Sequence, residues 1–531
     1  MVGKVSDPQY YESAKIRWET VPYTRGRGLD VGCGADKIWP HAIGVDNRID
    51  TALFDVKMNP DVTLNATDMS FFATRSFDWV FSSHMLEHCE NYPEVMREMF
   101  RVIKNDGYLI LYLPDEDEYP KIGEDGANPD HKWDVNYDRV VDAMKKVGGW
   151  NLIEFQKRNE TNEYSLYFCF QKHADTKVQL YGWKDPKPAK TCAVVRYGAW
   201  GDGIQATSIL PGLKEQGYHI TFYTTPRCFD VIKHEPLIDR IILQDSEQVP
   251  NAWLGEFWAY TKKKYDKFIN LSESVEATFL AMPDRMATNW PTAARNMTMN
   301  ANYWEFMHAV AEVPYEKPMS RFVATEEEKK WALEEKAKHE GKPTIMVVLA
   351  GSSVHKVYEG IDVVIARLLS CFRDVQVFTS GDERCRDMLE SVWTEQARVQ
   401  RRSGVWSIRQ TMAFAQICDL VIGPETGVMS AVAMEEMPKI ILLSHSSVNN
   451  LTRDWVNTYS LFSTKTPCAP CHKLIYSWDQ CVKDEPTGTA ACMAAIPPDA
   501  VWGAILKAFD IEPLVQDRPK IIPIAPVAEA A

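Results

Sequence analysis

Long apolar runs are missing from this chain of 531 residues. Its apolar segments are strand-length, far short of the ~18 consecutive apolar residues that suggest a membrane span. The opening stretch, MVGKVSDPQYYESAKIRWET, is polar and holds no apolar core of a signal peptide. A cytoplasmic protein is therefore expected, with association at a membrane surface left open. Basic excess is also missing: 59 Lys and Arg stand against 73 Asp and Glu, a net charge of -14. Nucleic-acid binders usually present a basic face, so a polyanion is not the expected partner. The 12 cysteines are mostly scattered. Cys33, Cys169, Cys192 and Cys418 lie in apolar or glycine-rich segments and read as small buried hydrophobes. What remains is average soluble composition, 45% apolar and 25% charged. The length calls for two or three domains.

The first of these reads as an α/β unit. Arg27–Ala35 is an apolar strand running into Asp30-Val31-Gly32-Cys33-Gly34. Gly32 and Gly34 allow a tight turn and close approach of a ligand to the backbone. Ala42–Asp46 is a second strand ending in an acid, and Val62–Asp68 a third. In a doubly wound sheet, Asp46 would stand at the tip of the neighbouring strand, suited to two ribose hydroxyls. Phe77–Ser83 is a fourth strand, followed by His84-Met85-Leu86-Glu87-His88. Helical spacing of Val95, Met96, Met99, Val102 and Ile103 predicts a helix from about Tyr92 to Ile103. Asn105-Asp106-Gly107 stops it, and Tyr108–Pro114 is the fifth strand.

Four strand ends in this order, three of them acidic, make the unit resemble a class I S-adenosylmethionine-dependent methyltransferase of the type 11 group. That resemblance covers nearly all of residues 25–170. It implies that Asp30, Gly32 and Gly34 line the methionine part of the cofactor, that Asp46 takes the ribose hydroxyls and that Asp68 takes the adenine amine. His84, Glu87 and His88 either organise the turn after the fourth strand or act in catalysis. The sharper candidates for a general base are His131, in Asp130-His131-Lys132-Trp133, and Asp115, just past the fifth strand. Methyl transfer from a sulfonium mostly needs alignment, so a base is not obligatory.

Gly182–Lys190 carries two prolines and three lysines and reads as a connector. Strands and helices alternate after it, the pattern of parallel sheets covered by helices. The organising stretch is Val194-Val195-Arg196-Tyr197-Gly198-Ala199-Trp200-Gly201-Asp202-Gly203: a buried strand, a glycine turn, then a helix expected over about 204–216. A charged helix from Glu326 to about Lys338 leads to a second half. That half opens with Thr344–Ser353, continues through Val375–Glu383, and reaches Leu420–Gly427 before a small-residue helix expected over Val428–Glu435.

Two Rossmann-like halves of this kind resemble glycosyltransferases of the GT-B type. Arg196, Gly201 and Asp202, the Gly351–Lys356 segment, and Pro424-Glu425-Thr426-Gly427 resemble family 9, that of the ADP-heptose:lipopolysaccharide heptosyltransferases. The resemblance covers essentially 190–510 and implies an ADP-sugar donor and an inverting reaction. Thr426 and Gly427 open a helix whose N–H groups suit a phosphate. Ser352, Ser353 and Lys356 add hydroxyl donors and a positive charge, so no metal dyad is required. Asp202 either caps its helix or takes the acceptor's proton, the role that the resemblance implies. Glu425 is likewise either a cap or a donor contact, and Glu383 matches a nucleoside contact of the family. The family's histidine after the glycine is missing, for Gly427 is followed by Val428-Met429-Ser430.

Cys468, Cys471, Cys481 and Cys492 include one C-x2-C pair and suit a structural zinc; free thiols and disulfides are the rivals. The expected organisation is a methyltransferase-like part over 1–175, a connector over 176–190, acceptor and nucleotide-sugar halves over 191–325 and 326–515, and a flexible tail over 516–531. Three functions are open. The leading one is methylation and glycosylation of one glycan or surface polysaccharide. The second is phage-type nucleic-acid base modification. The third is a pairing in which one part has lost catalysis and serves as a scaffold.

Overall fold

The computed structural model describes residues 12–47, 60–160, 162–173, 189–272, 280–281, 286–316 and 319–511. The expected connector lies largely, and the expected tail wholly, outside the described residues. The chain groups into two compact units. The first comprises 1–194, 218–226 and 240–268, the second 195–217, 227–239 and 269–531. Among the described residues no helix is long and apolar enough to cross a membrane.

The first sheet has seven strands: β1 Gly28–Val31, β2 Ile43–Asp46, β3 Val62–Thr63, β4 Phe77–Ser83, β5 Ile103–Pro114, β6 Trp150–Arg158 and β7 Ser165–Lys172. Their order is β3-β2-β1-β4-β5-β7-β6. The first five run parallel, and β7 is antiparallel to both its neighbours. Strand order reverses between β1 and β4, so the chain ends leaving β1, β2 and β4 open toward one switch point, where ligands of such sheets bind. β1 is buried along its whole length, as a helix-covered parallel strand should be. Helix Tyr92–Val102 buries Val95, Met96, Met99, Phe100 and Val102. Its end is satisfied by the Lys172 ammonium, which donates to Phe100 O at 2.6 Å and Ile103 O at 2.8 Å. β5 begins directly at Ile103, earlier than expected, and absorbs Asn105-Asp106-Gly107 as an irregularity in its pairing with β4. β3 is far shorter than the expected 62–68. Asn65 ends it with an Asx turn, its Oδ1 accepting from Thr67 N at 3.1 Å.

Strands β8 Thr191–Val195, β9 His219–Thr224, β10 Arg240–Leu243 and β11 Lys267–Asn270 form a second sheet in the order β10-β9-β8-β11. The first unit joins residues from this region to the first sheet's surroundings through aromatic and charged packing. Trp18 lies 5.7 Å from Phe257 and 6.3 Å from Trp253, ring centre to ring centre. Buried Glu19 accepts from Arg158 at 3.2 Å and from the Tyr260 hydroxyl and the Lys264 ammonium. Burial opposes its ionisation, yet the charge of Lys264 and these hydrogen bonds hold its pKa below the usual carboxylate value.

The second unit holds a six-stranded parallel sheet: β12 Thr344–Val348, β13 Gln376–Ser380, β14 Val399–Arg401, β15 Leu420–Pro424, β16 Lys439–Leu443 and β17 Thr458–Phe462, in the order β14-β13-β12-β15-β16-β17. Its order reverses between β12 and β15, a second switch point. The charged helix covers Glu326–Ala337 and opens with a capping box: Glu328 N donates to Thr325 Oγ1 at 3.1 Å and Thr325 N to Glu328 Oε2 at 2.8 Å. The helix expected over 204–216 is instead three pieces, Trp200–Ala206, Thr207–Ile209 and Leu210–Glu215. Pro211 has no N–H to give to Thr207, so the α-helical ladder breaks there. The small-residue helix is also shorter than expected, Gly427–Ala431. The fold class is the expected one, a Rossmann-like first sheet followed by two further α/β sheets.

Candidate functional site

In the first unit the glycine turn follows β1. Gly32 has φ +79°, open to glycine at little cost, and a Cβ there would lie 2.4 Å from Met85 Cγ. Gly34 N donates to Asp46 Oδ2 at 3.1 Å, so the carboxylate at the end of β2 braces the turn. Gly32, Gly34 and Asp46 are thus brought together. Asp30 is not at the mouth of the turn. It is 1% exposed, its Oδ2 accepts from Ile38 N at 2.6 Å, and burial pushes its pKa up to about 7. It anchors the 36–38 loop from beneath. Asp68 is exposed and accepts from Ser70 N at 3.0 Å; hydrogen bonds from the Ser70 side chain and then its N–H lower its pKa.

Of the two candidate bases, Asp115 is buried and engaged. Its Oδ1 accepts from Asp117 N at 3.2 Å, and Lys157 stands 3.3 Å from its Oδ2. His131 is half-buried, its ring centre 4.9 Å from that of His88 and 5.2 Å from that of Tyr119. Burial, then the charge of His88, lowers its pKa. His84 donates to or accepts from Ser165 Oγ at 2.9 Å, and burial drives its pKa down to about 3. Glu87 is a residue of this turn for which organising it and acting in catalysis are both open. It is 1% exposed, and among the described residues neither carboxylate oxygen has a hydrogen-bond partner. Burial pushes its pKa up to about 8. Glu87, His88 and His131 each offer an atom within 4.8 Å of the others'.

In the second unit Asp202 is not the N-cap itself: the helix Trp200–Ala206 is capped at Ala199, and Asp202 is its third residue, reaching back to the cap. Its Oδ2 accepts from Ala199 N at 2.8 Å and its Oδ1 from Arg196 Nη2 at 2.7 Å, while its side chain keeps 37% of its surface exposed. The turn carrying it meets the turn carrying Gly427. A Cβ on Gly427 would lie 2.8 Å from Trp200 Cβ and 3.0 Å from Gly201 N. A Cβ on Gly351 would lie 2.7 Å from Lys356 Cδ and 3.2 Å from Thr426 Cγ2. Asp202, Lys356, Thr426 and Gly427 therefore share one region. Burial lowers the pKa of Lys356, opposed by the charges of Glu425 and Asp202. Ser353 is buried with its Oγ unpartnered among the described residues, Ser352 is exposed, and Glu383 is exposed in the first turn of helix Glu383–Met388.

Glu425 is internal. Its Oε1 accepts from Ser444 N at 2.9 Å and Ser446 N at 3.0 Å, and its carboxylate pairs with His445 Nδ1. Burial works against its ionisation, but His445 and Lys356 outweigh that and bring its pKa down to about 2. His445 in turn stands 3.2 Å from His355 Nε2. His355, His445 and His472, all buried, were not singled out in the sequence. They lie on three separate loops, so no spacing connects them.

Cys468, Cys471, Cys481 and Cys492 line one cavity of about 240 Å³ with Arg295 and His355. All four thiols are free. A tetrahedral zinc with Zn–S near 2.3 Å needs sulfurs about 3.8 Å apart. Among the described residues, no three of these thiols fall within 4.8 Å of one another.

Residues 29–111 match the methyltransferase domain family. Two uncharacterized proteins of Methanocaldococcus jannaschii are similar in sequence. One is 32% identical over 133 residues, covering 23% of this chain and 47% of the relative. The other is 26% identical over 136 residues, covering 24% of this chain and 66% of the relative. The chain thus spans about half to two thirds of the length of these curated relatives. Among solved structures, a glycosyl transferase family 9 protein from Veillonella parvula is 16% identical, with a TM-score of 0.45 over 60% of this chain and 97% of its own. The E. coli ADP-heptose LPS heptosyltransferase II is 13% identical, with a TM-score of 0.42 over 60% and 98%. A SAM-dependent methyltransferase from Thermotoga maritima is 16% identical, with a TM-score of 0.25 over 31% and 91%.

Proposed function

We propose that the chain is a transferase with two activities, S-adenosylmethionine-dependent methyl transfer and inverting glycosyl transfer from a nucleotide sugar, acting on one glycan in the cytoplasm. Residues 1–175 would carry the first, 191–325 and 326–515 the second, with 176–190 as connector and 516–531 as tail. The observation that carries the glycosyl-transfer reading is the backbone contact between Gly201 and Gly427. It sets a half-buried carboxylate, Asp202, beside a lysine and a threonine-glycine turn. Methyl transfer is supported by the match over residues 29–111 and by a positive-φ glycine turn braced by Asp46 at a switch point.

Glycosyl transfer leaves a diphosphate, and Lys356, Ser352, Ser353, Thr426 and Gly427 N–H would neutralise and bind it. A short helix and one ammonium suit a single diphosphate, with an ADP-sugar as the proposed donor and Glu383 toward its nucleoside. Asp202, oriented by Arg196, takes the proton of the acceptor hydroxyl as its oxygen attacks the anomeric carbon, and attack from the opposite face inverts that centre. Glu425 acts through the fold, holding residues 444–446 and His445.

S-adenosylmethionine supplies an electrophilic methyl group when bound. The residues present suit it: Gly32 and Gly34 would let it approach the backbone, Asp46 would hold its two ribose hydroxyls and Asp68 its adenine amine. Alignment supplies most of the acceleration such a transfer requires. Asp30 supports the turn from below.

The acceptor is proposed to be a small molecule or glycan, met in solution or at a membrane surface; the acidic net charge disfavours nucleic acid. For the four cysteines, the shared cavity supports a metal and the spread of the sulfurs does not, so elemental analysis of the purified chain decides.

Thermal unfolding of the full chain tests the proposal. S-adenosylhomocysteine and a nucleoside diphosphate, each at 100 times its dissociation constant, stabilise the part that binds them by about 2.7 kcal/mol. The reading falls if neither shifts any transition. The engagement of both Glu425 oxygens and the missing histidine after Gly427 favour one alternative, a second unit that binds but does not turn over. An Asp202→Ala variant with unchanged turnover would establish it.

A further inference from the structure

The carboxylate of Glu87 is out of water and, among the described residues, carries no hydrogen bond on either oxygen. Leaving an acid in that state costs about 1–3 kcal/mol or more unless something meets it. Beside it stand the imidazoles of His88, whose Nε2 is 3.9 Å from Oε1, and of His131, with all three potential ligand atoms inside 4.8 Å of one another. His84 Nδ1 is 3.7 Å from Glu87 Oε1, beyond hydrogen-bond reach.

The backbone around the cluster is fixed on both sides. Glu87 and His88 occupy a single 3-10 turn, Leu86–His88, just past β4. His131 comes from the connection after β5, the strand paired to β4. Lys132 N donates to Glu87 O at 2.7 Å, and Trp133 Nε1 donates to Leu86 O at 2.9 Å. The Trp133 ring stacks on Tyr92 with centres 3.7 Å apart. The residues flanking His131 are thus tied directly to the turn that carries the other two groups, which is how an assembled ligand set is held.

We propose that Glu87, His88 and His131 bind a divalent transition-metal cation. Two imidazoles and one carboxylate suit manganese, iron, cobalt or zinc better than calcium or magnesium, and three protein ligands leave coordination positions open. Metal–ligand bonds near 2.0–2.2 Å put ligand atoms roughly 3–4 Å apart, so closing the set takes a movement of an ångström or less. His131 is then a ligand and not a free base. Resting on the methyltransferase reading, the inference extends to substrate class. Met85, adjoining this turn, fills the space against Gly32, so the cation sits beside the expected cofactor site. Its open positions take oxygen atoms of the methyl acceptor, a hydroxyl- or carboxylate-bearing molecule.

Manganese binding by the metal-stripped full chain tests this, read from the loss of the free Mn²⁺ electron paramagnetic resonance signal. Mn²⁺ is chosen because thiolates bind it poorly, which keeps the four cysteines out of the measurement. The expected result is one site that weakens more than tenfold in both Glu87→Gln and His131→Ala. Each variant is checked for its native circular dichroism and for the S-adenosylhomocysteine shift in unfolding temperature. No Mn²⁺ binding by the parent chain, or binding unchanged in the two variants, overturns the proposal. Mn²⁺ binding lost in both variants without any S-adenosylhomocysteine shift in the parent upholds the metal site and removes the methyltransferase reading beneath it.

Discussion

Gly201 and Gly427 pack backbone against backbone. A Cβ on Gly201 would come 3.5 Å from Gly427 Cα and 3.2 Å from Ser430 Oγ, and one on Gly427 3.0 Å from Gly201 N. Two turns from distant parts of the sequence approach this closely because neither residue has a side chain. Gly427→Ala forces them apart. It is expected to cost about 1–3 kcal/mol, as overpacking does. Nucleoside diphosphate binding should weaken with it. Thermal unfolding with and without the nucleotide measures both, and unchanged binding would detach this contact from the donor site.

Asp202 has a helix-capping hydrogen bond and an arginine partner on separate oxygens. Asp202→Asn leaves an oxygen that can accept one of them and removes the basic carboxylate. Turnover of the glycosyl transfer should fall by about 10²–10⁴, the range for a lost general base. Nucleotide affinity should stay within a fewfold. Steady-state kinetics beside calorimetric binding separates the two. A parallel loss of affinity would mean that the carboxylate serves only the turn.

Glu425 gives a pH dependence with a definite sign. Its folded pKa, about 2, lies below the unfolded value of 4.5. Its ionised form therefore contributes stability that is fully present above about pH 4.5 and is lost as pH falls toward 2. Glu425→Gln should lower the unfolding temperature at pH 7, and the gap from the parent should narrow steadily below pH 4.5. A gap that does not change with pH would assign the loss to packing.

Gly32 has two constraints that can be separated. Gly32→Ala strains a positive φ, at about 1–2 kcal/mol, and drives a Cβ into Met85. Adding Met85→Gly, which removes both the Cγ at 2.4 Å and the Cβ at 2.6 Å, should recover the steric part and not the conformational part. Urea unfolding of the single and double variants tests this. Full recovery in the double variant would mean that the backbone can relax out of φ +79°.

Local sequence was not enough for β6, β14 or β17, but it was enough for the first five strands, for β8, β12, β13 and β15, for the glycine turns and for the charged helix. Each of these is written within a few residues, through burial pattern, φ preference or a hydrogen bond three positions away. Even there, element lengths shifted where a neighbour intervened, as at Asn65 and Pro211. The residues' partners were a matter for the tertiary structure alone. Asp30 and Glu425 are acids at strand ends, like Asp46 and Asp202, and no spacing distinguishes the buried pair from the half-buried one. Burial depends on which loops fold over an edge: the 36–38 loop over Asp30, the 444–446 loop over Glu425. The meeting of Glu87 and His88 with His131, of Glu425 with His355 and His445, and of Glu19 with Tyr260 and Lys264 joins segments with no shared periodicity. Periodicity reports the face a residue turns to its own element's neighbours. Which distant side chain occupies the other side of that face is set only when the chain closes.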